Sequence, residues 1–232
     1  MSLIEFPNPR TFSYAEWVIV GNYMYPAEGV VHFGGELTVD NLRNAYRKGI
    51  FPWFTDGIPL PWHCPEKRAV LIFDEMQVPR SLGKIRRRQE FTFTIDREFG
   101  EVMRQCASSP RPGQKGTWIT GQFEEVYNEL HREGMAHSVE VWSAAGELAG
   151  GLYGIDAGGV FCGESMFYRE ANASKLALLY LIDHLQERGA TFLDTQVMTP
   201  HMEAFGARLV SRSRFLGMLR HEQAEKLVLF PT

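Results

Sequence analysis

Phe192-Leu-Asp-Thr-Gln-Val197 sets two polar side chains, Asp194 and Gln196, one residue apart in a strand-like segment. Side chains on a strand alternate between faces, so Asp194 and Gln196 share the face of Phe192 while Leu193, Thr195 and Val197 take the other. A carboxylate and an amide so placed either satisfy a strand end beside the next helix or stand where a proton must be steered. Gly163-Glu-Ser-Met-Phe167 puts Glu164 inside an otherwise apolar strand, where a carboxylate must be paired, exposed or functional. Gly150, Gly151 and Gly154 in the preceding strand mark a bulge or the close approach of a backbone or ligand. Trp118, just before a helix, is a core aromatic or a platform for a base.

Other groups point away from particular chemistries. Cys64, Cys106 and Cys162 lie far apart with no Cys-x-x-Cys pair, which argues against a disulfide framework and a structural zinc site. The 7 histidines show no metal-ligand spacing. The adjacent His63 and Cys64 suggest a thiolate nucleophile only if they face each other, which neighbours in sequence need not do. The net charge of -4 gives no global reason to expect nucleic acid. Locally, Arg80, Lys84, Arg86, Arg87 and Arg88 follow one another with no acid between them, as a solvated face or a phosphate-binding patch.

The 232 residues, 44% hydrophobic and 22% charged, can bury a substantial core in one large or two small domains. The longest apolar stretch, Leu176 to Ile182, is far shorter than the ~20 residues of a membrane span. With no secretory signal pattern at the start of the chain, a cytoplasmic location is expected.

The elements that must position these residues follow from periodicity. Thr38 caps a helix that carries Val39, Leu42, Ala45 and Tyr46 on one side and stops at Gly49. Residues 49–65 read as a loop rich in proline and aromatics, Trp53 among them, which fixes the backbone and presents flat surfaces. Residues 69–73 read as a strand and the basic segment as a short helix. From Phe91 the pattern gives a strand to Ile95, a helix capped by Asp96, and a second helix from Thr120 to Gly134. Three strands follow near 137–142, 147–155 and 160–167, forming a meander. A long helix (173–188), a strand (191–197), a short helix (201–205) and a last strand (208–210) end the order. The expected class is α+β. A small amino-terminal α/β domain over residues 1–88 precedes a mixed-sheet catalytic domain over 89–232, whose element order is that of the acetyltransferase (GNAT-like) superfamily.

Gly49-Ile-Phe-Pro-Trp-Phe54, Pro65 with Arg68-Ala-Val-Leu71, Gly116-Thr-Trp-Ile-Thr120, His137-Ser-Val-Glu-Val-Trp142, Gly163-Glu-Ser-Met-Phe167, Asn172-Ala-Ser-Lys175 and Asp194-Thr-Gln-Val197 with His201 stand in the order of the leucyl/phenylalanyl-tRNA-protein transferases. The chain resembles that family over nearly its whole length. The resemblance implies a cytoplasmic enzyme that moves Leu, Phe or Met from aminoacyl-tRNA to the amino terminus of proteins beginning with Arg or Lys, marking them for N-end-rule degradation. It implies no cofactor and no metal. It makes Asp194 and Gln196 the catalytic pair and gives Trp53 and Trp118 to the terminal adenosine of tRNA. Glu164 then lies on the acceptor side, and Leu152, Phe161, Met166, Leu181 and Leu193 form an apolar pocket for the carried amino acid. His63-Cys64 and Thr195 depart from the family's residues, so neither is a required nucleophile. Leu152 and Leu181 are smaller than the pocket residues of relatives.

An aminoacyl ester is already activated, so such an enzyme needs position and proton handling rather than a triphosphate. On this reading Asp194 attracts the amine's proton or orients the amine, and Gln196 holds the reacting groups. An acetyl-CoA-dependent N-acetyltransferase shares the element order, but Arg169-Glu-Ala-Asn-Ala-Ser-Lys175 lacks a glycine-rich pyrophosphate loop at the helix start. A non-catalytic RNA-binding regulator is the third reading.

Overall fold

The computed structural model describes residues 3–21, 23–109 and 117–231. The chain begins with a two-stranded hairpin of β1 (Trp17–Val20) and β2 (Tyr23–Pro26), followed by β3 (Val30–Phe33) and helix α1 (Val39–Arg47). Thr38 accepts the backbone N–H of Asn41 at 3.2 Å, and Leu42, Ala45 and Tyr46 are buried, as the spacing requires. Gly49 has φ +75, and a Cβ there would meet Phe215 and Leu216 at 2.8 Å, so glycine both ends α1 and admits the carboxy-terminal helix. The segment read as a loop contains two short strands, β4 (Phe51–Pro52) and β5 (Pro61–His63), which form a three-stranded sheet with β3. Strands of two or three residues are too short to show a period.

β6 (Lys67–Ile72) belongs elsewhere. It pairs with β11 (Phe192–Gln196) and β12 (Arg208–Ser211) inside a seven-stranded sheet of order β12-β6-β11-β10-β9-β8-β7. The division drawn at residue 88 put this strand with the amino-terminal unit; its ladder bonds put it in the large sheet. After β6 in the chain comes α2 (Arg80–Arg88), which buries Leu82, packs Ile85 beside it and keeps its cations outside.

Strands β7 (Thr92–Ile95), β8 (Ala136–Trp142), β9 (Leu148–Asp156) and β10 (Phe161–Tyr168) form the expected antiparallel meander. Helices α3 (Phe99–Ser108) and α4 (Gly121–Arg132) connect β7 to β8. Asp96 does not cap α3: it has φ +60, its carboxylate accepts the N–H of Ser138 at 2.8 Å and pairs with His137 at 2.6 Å, and α3 starts three residues later. Helix α5 (Ala173–Gln186) crosses from β10 to the parallel strand β11, and the short α6 (Pro200–Ala204) leads to β12.

The sheet has apolar residues on both faces. Val70, Tyr153 and Phe192 join the core that holds α1, α3, α4 and the last helix, α7 (Arg212–Glu225). Their neighbours Leu71, Leu152 and Leu193 join the core under α5 and α2. The pattern-based order stops at β12 and omits α7, whose buried Phe215, Leu216 and Leu219 sit among six charged or amide side chains, a histidine and two glycine or serine positions. No helix among the described residues is long and apolar enough to cross a membrane.

Candidate active site

The parallel pair β10/β11 is in register only at Phe161↔Leu193 and Cys162↔Asp194. Beyond these residues both strands leave the ladder, β10 by a bulge between Gly163 and Ser165 and β11 by one between Asp194 and Gln196. The gap past the carboxyl end of parallel strands is a common place for a ligand. Here it is a cavity of about 770 Å³.

The two bulged strands furnish opposite walls, with Glu164 and Met166 on one and Thr195 and Gln196 on the other. Leu152, Phe161, Leu181 and Leu193 line an apolar part between the sheet and α5. Trp53 and Trp118 line it from the opposite side of the sheet. Trp118 meets Phe123 edge-on at 5.5 Å, and Trp53 stands 6.4 Å from the His63 ring. Gly116, which begins the Trp118 motif, lies outside the described residues. Nine of the ten residues expected at the reaction centre and substrate pocket therefore border one space.

Asp194 is the exception. It faces the core away from the cavity and is fully buried. Arg68 Nε and Nη2 donate to its two oxygens at 2.8 and 2.7 Å, and the Gln196 N–H donates to Oδ1 at 3.0 Å. The strand rule had placed Asp194 and Gln196 on one face. The bulge breaks that alternation: Gln196 has φ +55 and turns its side chain into the cavity wall, where its Nε2 has no partner. A carboxylate turned from the cavity with both oxygens engaged is not placed to take a proton from an incoming amine.

Glu164 has surroundings that sequence patterns did not disclose. Tyr46 of α1 donates to its Oε1 at 2.7 Å, and the Tyr127 hydroxyl of α4 lies 2.7 Å from that of Tyr46. With the Tyr46 proton given to Glu164, Tyr127 is the donor of the second bond. Burial is the main cause that pushes the Glu164 carboxyl up to about 7, with the Asp194 charge adding to it and the tyrosine bonds opposing. Both tyrosines sit on the apolar faces of their helices, so periodicity assigns them to the core. Their hydroxyls are the only signal of another use.

His201 of α6 also borders the cavity, and its Nε2 is buried without a partner. Burial, then the nearby Lys175, lowers its pKa. Among the described residues no group of three or more His, Cys, Asp or Glu is arranged to hold a metal. Cys64 is fully buried, and burial raises its thiol, whereas the neighbouring His63 stacks on Phe51 at 5.7 Å. The basic run lies apart from the cavity lining on exposed α2, where Arg86 is already bridged to Asp183 of α5.

The model of the leucyl/phenylalanyl-tRNA protein transferase family matches residues 70–220, and that of the family's N-terminal domain matches residues 35–66. The chain belongs to this family. A leucyl/phenylalanyl-tRNA–protein transferase of Pseudomonas fluorescens is 49% identical over 85% of this chain and 87% of its own. A transferase of the same name from Chromobacterium violaceum is 47% identical over 86% of each chain. In Flavobacterium johnsoniae a third is 46% identical over 83% of this chain and 91% of its own. Among solved structures, FemX gives a TM-score of 0.49 at 13% identity, covering 63% of this chain and 60% of that one. The border between the two transferase-family models, residues 66 to 70, falls at β6, where the chain enters the large sheet.

Proposed function

We propose that this member of the family transfers leucyl, phenylalanyl or methionyl groups from tRNA to the amino terminus of proteins beginning with Arg or Lys, in the cytoplasm, marking them for degradation. The observation that carries this is one cavity bordered by apolar side chains, two tryptophans, the Gln196 amide and the half-buried Glu164 carboxylate. The pocket of Leu152, Phe161, Met166, Leu181 and Leu193 takes the carried side chain. Trp53 and Trp118 offer faces on which the terminal adenine stacks, a contact worth about 1–3 kcal/mol per base. Glu164, held by Tyr46 and Tyr127, receives the cationic first side chain of the acceptor.

In the transfer step the acceptor's neutral amine attacks the ester carbonyl carbon. The bond from that carbon to the ribose oxygen breaks, and one proton passes from the amine nitrogen to the departing oxygen. No redox change and no further reactant is involved. The Gln196 amide carries both a donor and an acceptor group and lines the cavity that, on this reading, receives both substrates. It holds amine and ester together, and its N–H groups favour the charge that builds on the carbonyl oxygen. The exposed cations of α2, Arg80, Lys84, Arg87 and Arg88 with Arg86, meet tRNA phosphates.

Transfer of a labelled aminoacyl group from tRNA to a peptide beginning with Arg tests the reading. Labelled peptide is expected with aminoacyl-tRNA and none with acetyl-CoA. Acetylation, or tRNA binding with no transfer, would reject it.

A further inference from the structure

Arg68 is a charged group for which the transfer step has no use, yet it is 1% exposed. It is the second residue of β6, opposite Val210 of β12, and its guanidinium lies over two phenyl rings, 4.6 Å from the centre of Phe51 and 4.5 Å from that of Phe215. Phe51 comes from β4 of the small sheet and Phe215 from α7. On the transferase reading of the cavity, we infer that Arg68 is a positioning residue: with Asp194 it holds the strained turn that aims Gln196, and Asp194 takes no proton.

The turn is the first ground. Val197 N–H donates to Thr195 C=O at 2.6 Å across Gln196, whose φ is +55. This is a γ-turn with a positive central φ, a rare and strained form. A side-chain-bearing residue in that region is disfavoured and persists only where its surroundings impose it. Two bonds impose it here. Thr195 Oγ1 donates to the C=O of Ala69 at 3.1 Å, and the Gln196 N–H donates to Asp194 Oδ1. The second bond has a fixed direction only if the carboxylate is fixed.

Arg68 supplies that. Its planar fork meets both carboxylate oxygens, and the Phe51 and Phe215 rings pack against the guanidinium. Burial alone would make the guanidinium easier to deprotonate; the Asp194 charge overrides this and keeps it a cation. Buried ion pairs are poor sources of net stability, because desolvation consumes most of the attraction. Arg68 Nη1, moreover, has no hydrogen-bond partner among the described residues. A pair that gains little stability but fixes the backbone beside the cavity is suited to placing a side chain. Lysine, with a single mobile ammonium, reproduces neither the fork nor the stacking.

Four full-length variants test this: Arg68→Met, Arg68→Lys, Asp194→Asn and Asp194→Ala. Each is measured for single-turnover transfer from charged tRNA to an Arg-initiated peptide across pH, with circular dichroism and a thermal melt as controls for folding. Misplacement of a reacting group by about 1 Å costs on the order of 100-fold, so folded Arg68→Met, Arg68→Lys and Asp194→Ala are expected to lose roughly that in rate, with KM for aminoacyl-tRNA near parental. Asp194→Asn retains an oxygen for the Gln196 N–H, so it is expected to be clearly faster than Asp194→Ala and to keep the parental pH–rate limbs. Asparagine is isosteric, so this comparison stands even if Arg68→Met does not fold. Asp194→Asn as inactive as Asp194→Ala, with a limb of the pH profile gone, would make Asp194 the proton acceptor and overturn the inference. Folded Arg68→Met at the parental rate would overturn it too. A parent enzyme that transfers nothing would instead defeat the transferase reading.

Discussion

Glu164 is the residue whose chemistry depends most on its neighbours. Its carboxyl, pushed up to about 7 chiefly by burial, is mostly neutral in mild acid and charged above neutrality. A cationic acceptor side chain gains from the charged form alone. KM for an Arg-initiated peptide is therefore expected to fall as pH rises through about 7 and to climb below it. Glu164→Gln should remove that dependence and leave KM high at every pH. The acceptor's own amine also loses its proton near pH 8, but that raises the rate at saturation, so steady-state kinetics separates the two effects. A parental pH dependence of KM in Glu164→Gln would show that another group governs acceptor binding.

At the scale of elements, the proposed transfer makes the apolar wall of β9, β10, α5 and β11 the selector of the carried amino acid. Leu152, Phe161, Met166, Leu181 and Leu193 line the cavity, and as an adaptable pocket they are expected to accept leucine, methionine and phenylalanine, each narrow at Cβ. Isoleucine and valine are broad beside the reacting carbonyl, and a steric conflict of roughly 1–3 kcal/mol gives tenfold or greater discrimination. One tRNA body charged with each amino acid checks this, and equal rates for isoleucine and leucine would rule out a selecting pocket. Helix α2 makes a separate prediction. Arg86 is tied to Asp183, whereas among the described residues Lys84 and Arg87 have no ion pair and Arg88 only a distant one, 3.9 Å from Glu90. Replacing Lys84, Arg87 and Arg88 by alanine should reduce the slope of log affinity against log salt by about 2–3, similarly for different tRNAs. An unchanged slope would return the run to solvent.

Across the whole molecule, α7 ties the small sheet to the large one. Phe215 is fully buried against Arg68, and Gly49 is glycine because Phe215 and Leu216 come so close. Phe215→Ala should lower unfolding free energy by about 3–5 kcal/mol. It should also slow transfer, since one of the two rings confining Arg68 is lost. Chemical denaturation monitored by tryptophan fluorescence measures the first effect. A loss below about 1 kcal/mol would mean that α7 is peripheral.

Much of this was fixed locally and so was readable without coordinates. The periodicities of α1, α3, α4 and α5 and the alternation of the meander are short-range properties, and each yields its element within a few residues. Among the cavity-bordering residues, Glu164 and Gln196 stood out by polar interruption of apolar runs and Trp53 and Trp118 by their motifs, whereas the five apolar residues were named only through the family resemblance. Local pattern failed where the deciding contact is distant in sequence. Asp96 looked like a helix cap but is claimed by His137 and Ser138, and the two- and three-residue strands exist only through pairing with β3. Asp194 and Gln196 obey strand alternation until a bulge, stabilised by Arg68 from 126 residues away, turns one into the cavity and the other from it. The sequence by itself determined which elements form, because composition and spacing select them, and its resemblance to the family named the residues to expect at the site. Only the tertiary structure decided which of those residues face the substrate, because a one-residue bulge reverses a side chain and is set by partners that no local pattern contains.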